Sequence, residues 1–368
     1  MIIGIFSPVI NRCGGAEWVA INIINSLKEQ GHRLIVLTDE PLNQQKFIEI
    51  FNRKVSVDQQ IIFPLRFFSP TNYRNIYTDA LRSFMLKLKC DLVVDTFSNA
   101  VLAGMNAAYI HHPLLRKIKL ELPHVNANKI FFYPYQNFLN FRKEKIKNKL
   151  IFANSKFTAN AVKAEFGLDP YVLYPPVSND IFNQKEANFD EYRDNNVVTI
   201  ARITTEKNLE IIPHIAKLTG KDVSFTIVGL LDSKEALNSL VRLIKDLKLS
   251  ERIRIITNAK RNQLVSILLN SKVFLHTKVN EHFGISVIEA MSSGCIPIVH
   301  DSGGPREFVP KIFRYNSIEE ASEKVEKAIE IWSPKKAKEL SRRATMFDEN
   351  HFSTNFIDIF NAHFEKHN

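Results

Sequence analysis

The sequence predicts an α/β protein of two parallel-sheet domains, and three observations carry that reading. The chain of 368 residues is too long for one ordinary core. Short apolar runs alternate with helical patterns, first over Ile2–Thr38 and again over Val273–Val299, in the strand–loop–helix–strand order of a parallel sheet. Between them, Asn179–Asn196 is polar, acidic and without periodicity, which places a linker at 179–196. The expected domains are therefore 1–178 and 197–345, with 346–368 as a terminal helix.

Ile2–Phe6 is the first apolar run. The loop Ser7–Gly15 follows, then a helical pattern from Ala16 to Gln30 closed by Gly31, then a strand at Leu34–Thr38. The loop ends in Gly14-Gly15 before Ala16-Glu17. Two glycines let the backbone approach a ligand closely and a helix N-terminus favours an anion, although a plain tight turn needs the same pair. Neither the G-x-G-x-x-G fingerprint nor a P-loop occurs. Lys89–Thr96 reads as a buried strand with Asp95 at its end. Ala107–Ile110 is a short strand running into His111-His112-Pro113. A histidine at a strand's carboxyl end is placed for acid–base work or a ligand hydroxyl, or else for a backbone carbonyl nearby.

Arg116–Lys149 holds nine Lys/Arg against two acids, Glu121 and Glu144, interleaved with Phe131, Phe132, Tyr133, Tyr135, Phe138 and Phe141. That mixture fits a helix pair with a basic outer face and an aromatic inner one. It also fits an anionic bilayer surface or single-stranded nucleic acid, but no nucleic-acid module elsewhere backs the last. Leu150–Ala153 is a strand, and Asn154 or Ser155 caps the helix running to Phe166-Gly167. Tyr171–Tyr174 and Pro175-Pro176-Val177 lead out of the first domain.

Val197–Ala201 opens the second domain. Arg202 and Lys207 then flank a loop entering a helix that continues through Leu218. Two cations there make a diphosphate clamp, Arg by its fork and Lys as a point charge; as surface cations, one would be satisfied by Glu206 next door. Ser224–Val228 is a strand ending at Gly229. Asp232–Leu247 is helical, Arg252–Ile256 a strand and Gln263–Asn270 a helix. Val273–Thr277 is a buried strand, Lys278–Phe283 a polar loop, and a helix runs from Gly284 or Ile285 to Gly294.

Glu281 sits in that loop and Glu289 about a turn inside the helix. Ligands of open α/β sheets lie at the carboxyl ends of strands, against helix N-termini, and both carboxylates point there as acceptors for hydroxyls. The backbone N–H groups from Phe283 to Ser286 suit an anion. The blander reading makes Glu281 a solvated loop acid and Glu289 a first-turn acid favoured by the helix dipole. Cys295–Val299 is the next strand, followed by a Gly-Gly-Pro turn. Ile318–Ile331 and Pro334–Asn368 close the chain as helices.

E-H-F-G-I-S-V-I-E at 281–289 resembles the E-x7-E signature of retaining glycosyltransferases of family 4, which have the GT-B fold. The A-M-S-S-G-C-I-P-I-V and D-S-G-G-P-R-E-F-V runs after it are similar to that family's. R-I-T-T-E-K-N at 202–208 matches its R-x4-K-N, and G-G-A-E at 14–17, Y-I-H-H-P at 109–113 and Y-P-P-V at 174–177 add moderate likeness. The resemblance implies two Rossmann-like domains with parallel sheets facing a central cleft. The N-terminal one would take the acceptor and the C-terminal one a nucleotide-sugar donor, with a last helix, Phe347 to Phe364, crossing back to the N-terminal domain.

It further implies roles for single residues. Gly14 and Gly15, Gly15 foremost, would lie against the donor diphosphate, and Arg202 and Lys207 would bind the donor phosphates. Gly229 would lie near the base and Glu289 on the ribose. Glu281 would contact the sugar hydroxyls, with Phe283, Gly284 and Ile285 beside it. His111 would orient sugar or acceptor. His111, Arg202, Lys207 and Glu281 are then the catalytic set. No D-x-D is present, so the expected chemistry needs no metal and no other cofactor. The motifs look most like the branch that moves α-1,2-mannose from GDP-mannose to a dolichol-linked glycan, in a prokaryotic relative. The alternative is a UDP-glucose or UDP-N-acetylglucosamine transferase with a soluble or cell-envelope acceptor.

Composition bounds the setting. Hydrophobic residues at 45% and charged residues at 24% are ordinary for a globular protein. Cys13, Cys90 and Cys295 give neither a disulfide framework nor a zinc spacing, which points to a reducing, cytoplasmic location. MIIGIFSP lacks a basic n-region and a long apolar core, so it reads as a strand rather than a signal peptide. No apolar stretch reaches membrane-spanning length. A net charge of +10 asks for an anionic partner. A nucleotide diphosphate and an anionic membrane surface fit, nucleic acid does not, and the expectation is a protein peripheral at the cytoplasmic membrane face through 116–149.

Overall fold

The computed structural model describes residues 1–68, 73–113, 126–178 and 192–365. It divides into two units, Met1–Pro176 with Asn350–Asn368, and Val177–Glu349. Most of the expected linker, 179–191, and residues 116–125 of the basic segment lie outside the described residues. Its other end, 192–196, runs into the second unit, where the first strand begins at Asp194 rather than Val197.

In the first unit β1 (Ile2–Phe6), β2 (Arg33–Thr38), β3 (Gln59–Ile62), β4 (Leu92–Asp95), β5 (Ala107–Ile110), β6 (Leu150–Ala153) and β7 (Tyr171–Val172) form one parallel sheet. Its order is β3-β2-β1-β4-β5-β6-β7. The central strands are apolar without alternation because helices cover both faces, and all their side chains but those of Ile2 in β1 and Leu92 in β4 are buried. Helices α1 (Gly15–Glu29), α2 (Gln44–Phe51), α3 (Ile76–Lys87), α4 (Asn126–Phe141), α5 (Lys143–Lys147) and α6 (Lys156–Phe166) connect them. Ser155 caps α6, its hydroxyl accepting the Thr158 N–H at 3.0 Å, and Gly167 closes the helix at φ 65°.

The described part of the basic, aromatic segment, 126–149, forms the helix pair α4–α5. Phe132 and Tyr135 are buried in the sheet's core, and the Tyr135 hydroxyl accepts the Val101 N–H at 3.0 Å. Tyr133 is exposed. The described part of the segment thus turns much of its aromatic surface inward.

The second unit carries β8 (Asp194–Ile200), β9 (Ser224–Gly229), β10 (Ile253–Thr257), β11 (Ser271–His276), β12 (Ile296–His300) and β13 (Arg314–Tyr315). All pair in parallel, in the order β10-β9-β8-β11-β12-β13. Helices α7 (Ile211–Leu218), α8 (Lys234–Asp246), α9 (Arg261–Asn270), α10 (Ile285–Ser292), α11 (Ile318–Ile331) and α12 (Pro334–Ala344) complete it. Renumbered from β8, this is the 3-2-1-4-5-6 order of a doubly wound nucleotide-binding sheet, with its reversal between β8 and β11.

The loop after Arg202 contains a 3-10 turn at Thr205–Lys207, Asn208 takes the left-handed region at φ 50°, and α7 opens at Ile211 and runs to Leu218, in the expected loop-then-helix order. The terminal helical tail, expected as Pro334–Asn368, is broken. A 3-10 turn at Thr345–Phe347 separates α12 from α13 (Glu349–Glu365). Phe352, Phe356 and Phe360 of α13 are buried in the first unit's core beside Tyr109 and Phe152. Phe347 is not part of that set; it packs in the second unit, 5.7 Å from the Phe283 ring and 5.5 Å from Phe308. Among the described residues no helix is long and apolar enough to cross a membrane.

Candidate functional site

The reversal in strand order puts two loops side by side at the carboxyl edge of the second sheet. One follows β8 and carries Arg202 and Lys207; the other follows β11 and carries Glu281. Crevices of this kind hold ligands because neighbouring connections leave on opposite faces. The Thr277 hydroxyl ties the loops together by donating to the Lys207 carbonyl at 2.5 Å.

Lys207 and Glu281 meet there, Nζ to Oε2 at 2.7 Å, and both are largely buried. The same carboxylate oxygen lies 3.4 Å from Nε2 of His276, a buried residue at the end of β11. Oε1 accepts the His282 N–H at 3.1 Å. Burial alone would raise the Glu281 pKa. The His276 hydrogen bond and the charges of Lys207, His276 and Lys278 outweigh it and hold the carboxyl well below its usual range. The Lys278 pKa also falls: burial lowers it, Glu281 opposes, and Lys207 adds to the fall.

A depressed carboxyl pKa stabilises the fold above the unfolded value of about 4.3 and loses that contribution as pH falls through the folded value. Thermal melts of wild type and Glu281→Gln should therefore stay apart from pH 8 to about 5. The gap should shrink only below about pH 4.3. A gap that already closes between pH 7 and 6 would contradict the assigned direction.

A glycine turn shapes the Glu281 loop. The Gly304 N–H donates to the Glu281 carbonyl at 2.8 Å, and the Asn280 N–H donates to the Ser302 hydroxyl at 2.7 Å. Gly303 sits at φ 72°, and a Cβ on it would stand 2.1 Å from the Glu281 carbonyl oxygen.

The other predicted residues of this unit have partners of their own. Arg202 is half exposed and pairs with Asp232 at 3.1 Å, while Lys207 pairs with Glu281, not with the adjacent Glu206. Glu289 bonds Nη1 of Arg261 at 2.9 Å, which marks it as one half of an ion pair, not a lone helix acid. The Phe283 side chain is core, 5.3 Å from Phe308, so only its backbone faces the corner. Gly284 precedes α10 at φ 94° and Ile285 opens the helix. The Val287 N–H is taken by the Gly284 carbonyl at 3.0 Å, and the Ile285 and Ser286 amides open the helix ahead of it, where an anion is favoured. Gly229 is needed for close approach, since a Cβ there would meet the Ala201 carbonyl oxygen at 1.9 Å.

Gly14, Gly15 and His111 belong to the first unit, also at its sheet's carboxyl edge. Gly15 is the first residue of α1, and the Gly14 N–H donates to Glu17 Oε2 at 2.8 Å, which ties up that amide. The His111 backbone is clamped from both sides. Its N–H donates to Asn99 Oδ1 at 2.7 Å, and its carbonyl accepts from Asn154 at 3.1 Å and Thr158 at 3.3 Å. Its ring lies 5.0 Å from Tyr109. Asp95 is buried at the end of β4, where it accepts the Phe97 and Ser98 N–H groups; burial pushes its pKa up to about 6.

Sequence reasoning passed over Asp232, Arg261, His276 and Lys278. His276 had a signal: it is a histidine at the carboxyl end of a buried strand, the cue applied to His111. Asp232 and Arg261 had none, because only the fold brings them near Arg202 and Glu289.

Residues 13–180 match the family model described as Glycosyltransferase Family 4, and residues 180–346 the one described as Glycosyl transferases group 1. The chain is a glycosyltransferase. Its sequence is 25% identical over 433 residues to the GDP-Man:Man(3)GlcNAc(2)-PP-Dol alpha-1,2-mannosyltransferase of Dictyostelium discoideum, covering 96% of this chain and 83% of that one. The human protein of the same name is 24% identical over 365 residues, covering 83% of this chain and 73% of its own. Among solved structures, Anabaena HepE in complex with UDP and glucose superposes with a TM-score of 0.72 at 16% identity, covering 98% of this chain and 100% of that one. The glycosyltransferase thus has the GT-B fold of two parallel-sheet, Rossmann-like domains, and the Lys207–Glu281 pair stands at the strand reversal of the second.

Proposed function

We propose that this glycosyltransferase moves mannose from GDP-mannose to a lipid-linked glycan, with retention at the anomeric carbon and without a metal. The pairing of Lys207 with an ionised Glu281 at the strand reversal carries the reading. Relatives named for that donor and a dolichol-linked acceptor support it.

In this reading Arg202, Lys207 and the amides before α10 hold the donor diphosphate, and Glu289 takes the ribose. Gly229 lies by the base, and Gly14 and Gly15 approach the diphosphate from their own unit. Glu281 accepts from sugar hydroxyls, and its ionisation at neutral pH suits an acceptor, not an acid. The acceptor hydroxyl attacks the anomeric carbon on the face of the departing phosphate. The bond from that carbon to the phosphate oxygen breaks as the new glycosidic bond forms, and the hydroxyl proton passes to the leaving phosphate. The cations stabilise the charge that builds on the phosphate. His111 orients the sugar or acceptor. A double displacement would need a carboxylate nucleophile at the anomeric carbon, and Glu281 is already committed to Lys207 and His276. The enzyme would work at the cytoplasmic membrane face.

Calorimetry and product analysis with GDP-mannose, UDP-glucose and UDP-N-acetylglucosamine, with and without a chelator, test this. Tightest binding and turnover should occur with GDP-mannose, unchanged by the chelator. Preference for a uridine donor would discard the mannose assignment while keeping the enzyme class.

A further inference from the structure

Helix α3 is built inside out. Its buried face holds Thr78, Asp79, Arg82 and Ser83 beside Ile76 and Leu86. Its outer face holds Tyr77, Leu81, Phe84, Met85 and Leu88, a single stripe at helical spacing. Leu81, Phe84 and Leu88 are 50%, 51% and 73% exposed, where a surface helix normally places polar residues.

The inward polar residues hold bonds of their own, although Arg82 Nε is left without a partner, so the inversion is a property of the fold. Arg82 is fully buried, bonds Asp39 and Asp79, and stacks 5.5 Å from the Phe6 ring. The Thr78 hydroxyl donates to the Asn75 carbonyl at 2.7 Å. Turning the helix over would break these bonds, so the apolar stripe is held outward. It also continues past the helix. The Tyr77 ring lies 5.2 Å from Phe131 of α4, and its hydroxyl donates to the Phe131 carbonyl.

The charges around the stripe select its partner. The helix's one acid, Asp79, points inward. Arg74 stands before the helix, 5.8 Å over the Phe68 ring, and Lys87 and Lys89 stand at its other end. A second copy laid on this stripe, in either direction, would set cations against cations with no helix acid to offset them. A bilayer accepts both features, the side chains at the acyl boundary and the cations among anionic headgroups. We propose that the outer face of α3 docks this glycosyltransferase on an anionic lipid bilayer. The inference deepens the reading of the acceptor as lipid-linked, and rests on it for its purpose. It assigns to α3 the contact that the basic composition of 116–149 suggested.

The full chain is cosedimented with vesicles of phosphatidylcholine, with and without phosphatidylglycerol. Wild type should bind the mixed vesicles, less so as salt is raised. The triple variant Leu81→Ser/Phe84→Ser/Leu88→Ser should partition more than about tenfold more weakly, with GDP-mannose binding unchanged. In a separate variant, Phe84→Trp, the fluorescence should shift to the blue when mixed vesicles are added. A triple variant that binds like wild type overturns the proposal and moves the contact to 126–149. Wild type that ignores both vesicle types also overturns it, as does a concentration-dependent dimer lost in the triple variant, which would make the occupant a second copy. Vesicle binding without any GDP-mannose binding would instead sink the donor reading and leave this one standing.

Discussion

Lys207→Ala should lower turnover with the preferred donor by about 10²–10³, while the protein stays folded. Two effects combine. In the donor complex the ammonium would neutralise the departing diphosphate, a charge that grows toward the transition state, so its loss falls on kcat more than on KM. In the free protein the same ammonium compensates a buried carboxylate at 2.7 Å. Removing it leaves Glu281 supported by His276 and Lys278, and its pKa must rise. Lys207→Ala/Glu281→Gln separates the two. It should regain most of the lost stability, because no buried charge is left unpaired, and none of the turnover. Arg202→Ala should cost less in the free protein, since its partner Asp232 is as exposed as the arginine itself. A Lys207→Ala enzyme within tenfold of wild type would remove this residue from the proposed mechanism.

The sequence made the scaffold legible where physics is local. Strands covered on both faces must be apolar throughout, so Ile2–Phe6, Ala107–Ile110 and Leu150–Ala153 announce themselves. The edge strand Gln59–Ile62 does not, because pairing with Thr38 and its neighbours, not composition, makes it a strand. Helix α3 was illegible for another reason. Its apolar spacing is regular but marks the wrong face, since Arg82 and Asp79 find partners inside. At the candidate site the positions could be read, because Arg202, Lys207 and Glu281 follow strand ends. Their partners could not. Glu206 is adjacent to Lys207 in sequence, yet the ammonium goes to Glu281, 74 residues away, and Arg202 to Asp232, 30 residues away. Such choices depend on which strands neighbour each other, and the reversal between β8 and β11 decides that.

Gly303→Ala should be nearly as damaging as the loss of Lys207, although the residue carries no chemistry. At φ 72° any L side chain is strained, and here the new Cβ would also stand 2.1 Å from the Glu281 carbonyl oxygen and 2.8 Å from its nitrogen. Both are backbone atoms of the loop that holds the carboxylate, so no side chain can rotate away to make room. The turn must move, and the Gly304 N–H to Glu281 carbonyl bond of 2.8 Å moves with it. A displacement near 1 Å at a positioned group costs on the order of a hundredfold in rate, and strain with a lost bond of roughly 2–3 kcal/mol should lower Tm by about 5–10 °C. Gly31→Ala isolates the strain alone. That glycine has φ 78° and nothing within 4 Å of the added methyl, so it should lose a little stability and no activity. If Gly303→Ala behaves like Gly31→Ala, the glycine turn is not the template of the Glu281 loop. If only Gly303→Ala abolishes turnover while donor binding weakens modestly, the turn acts by holding the carboxylate in place.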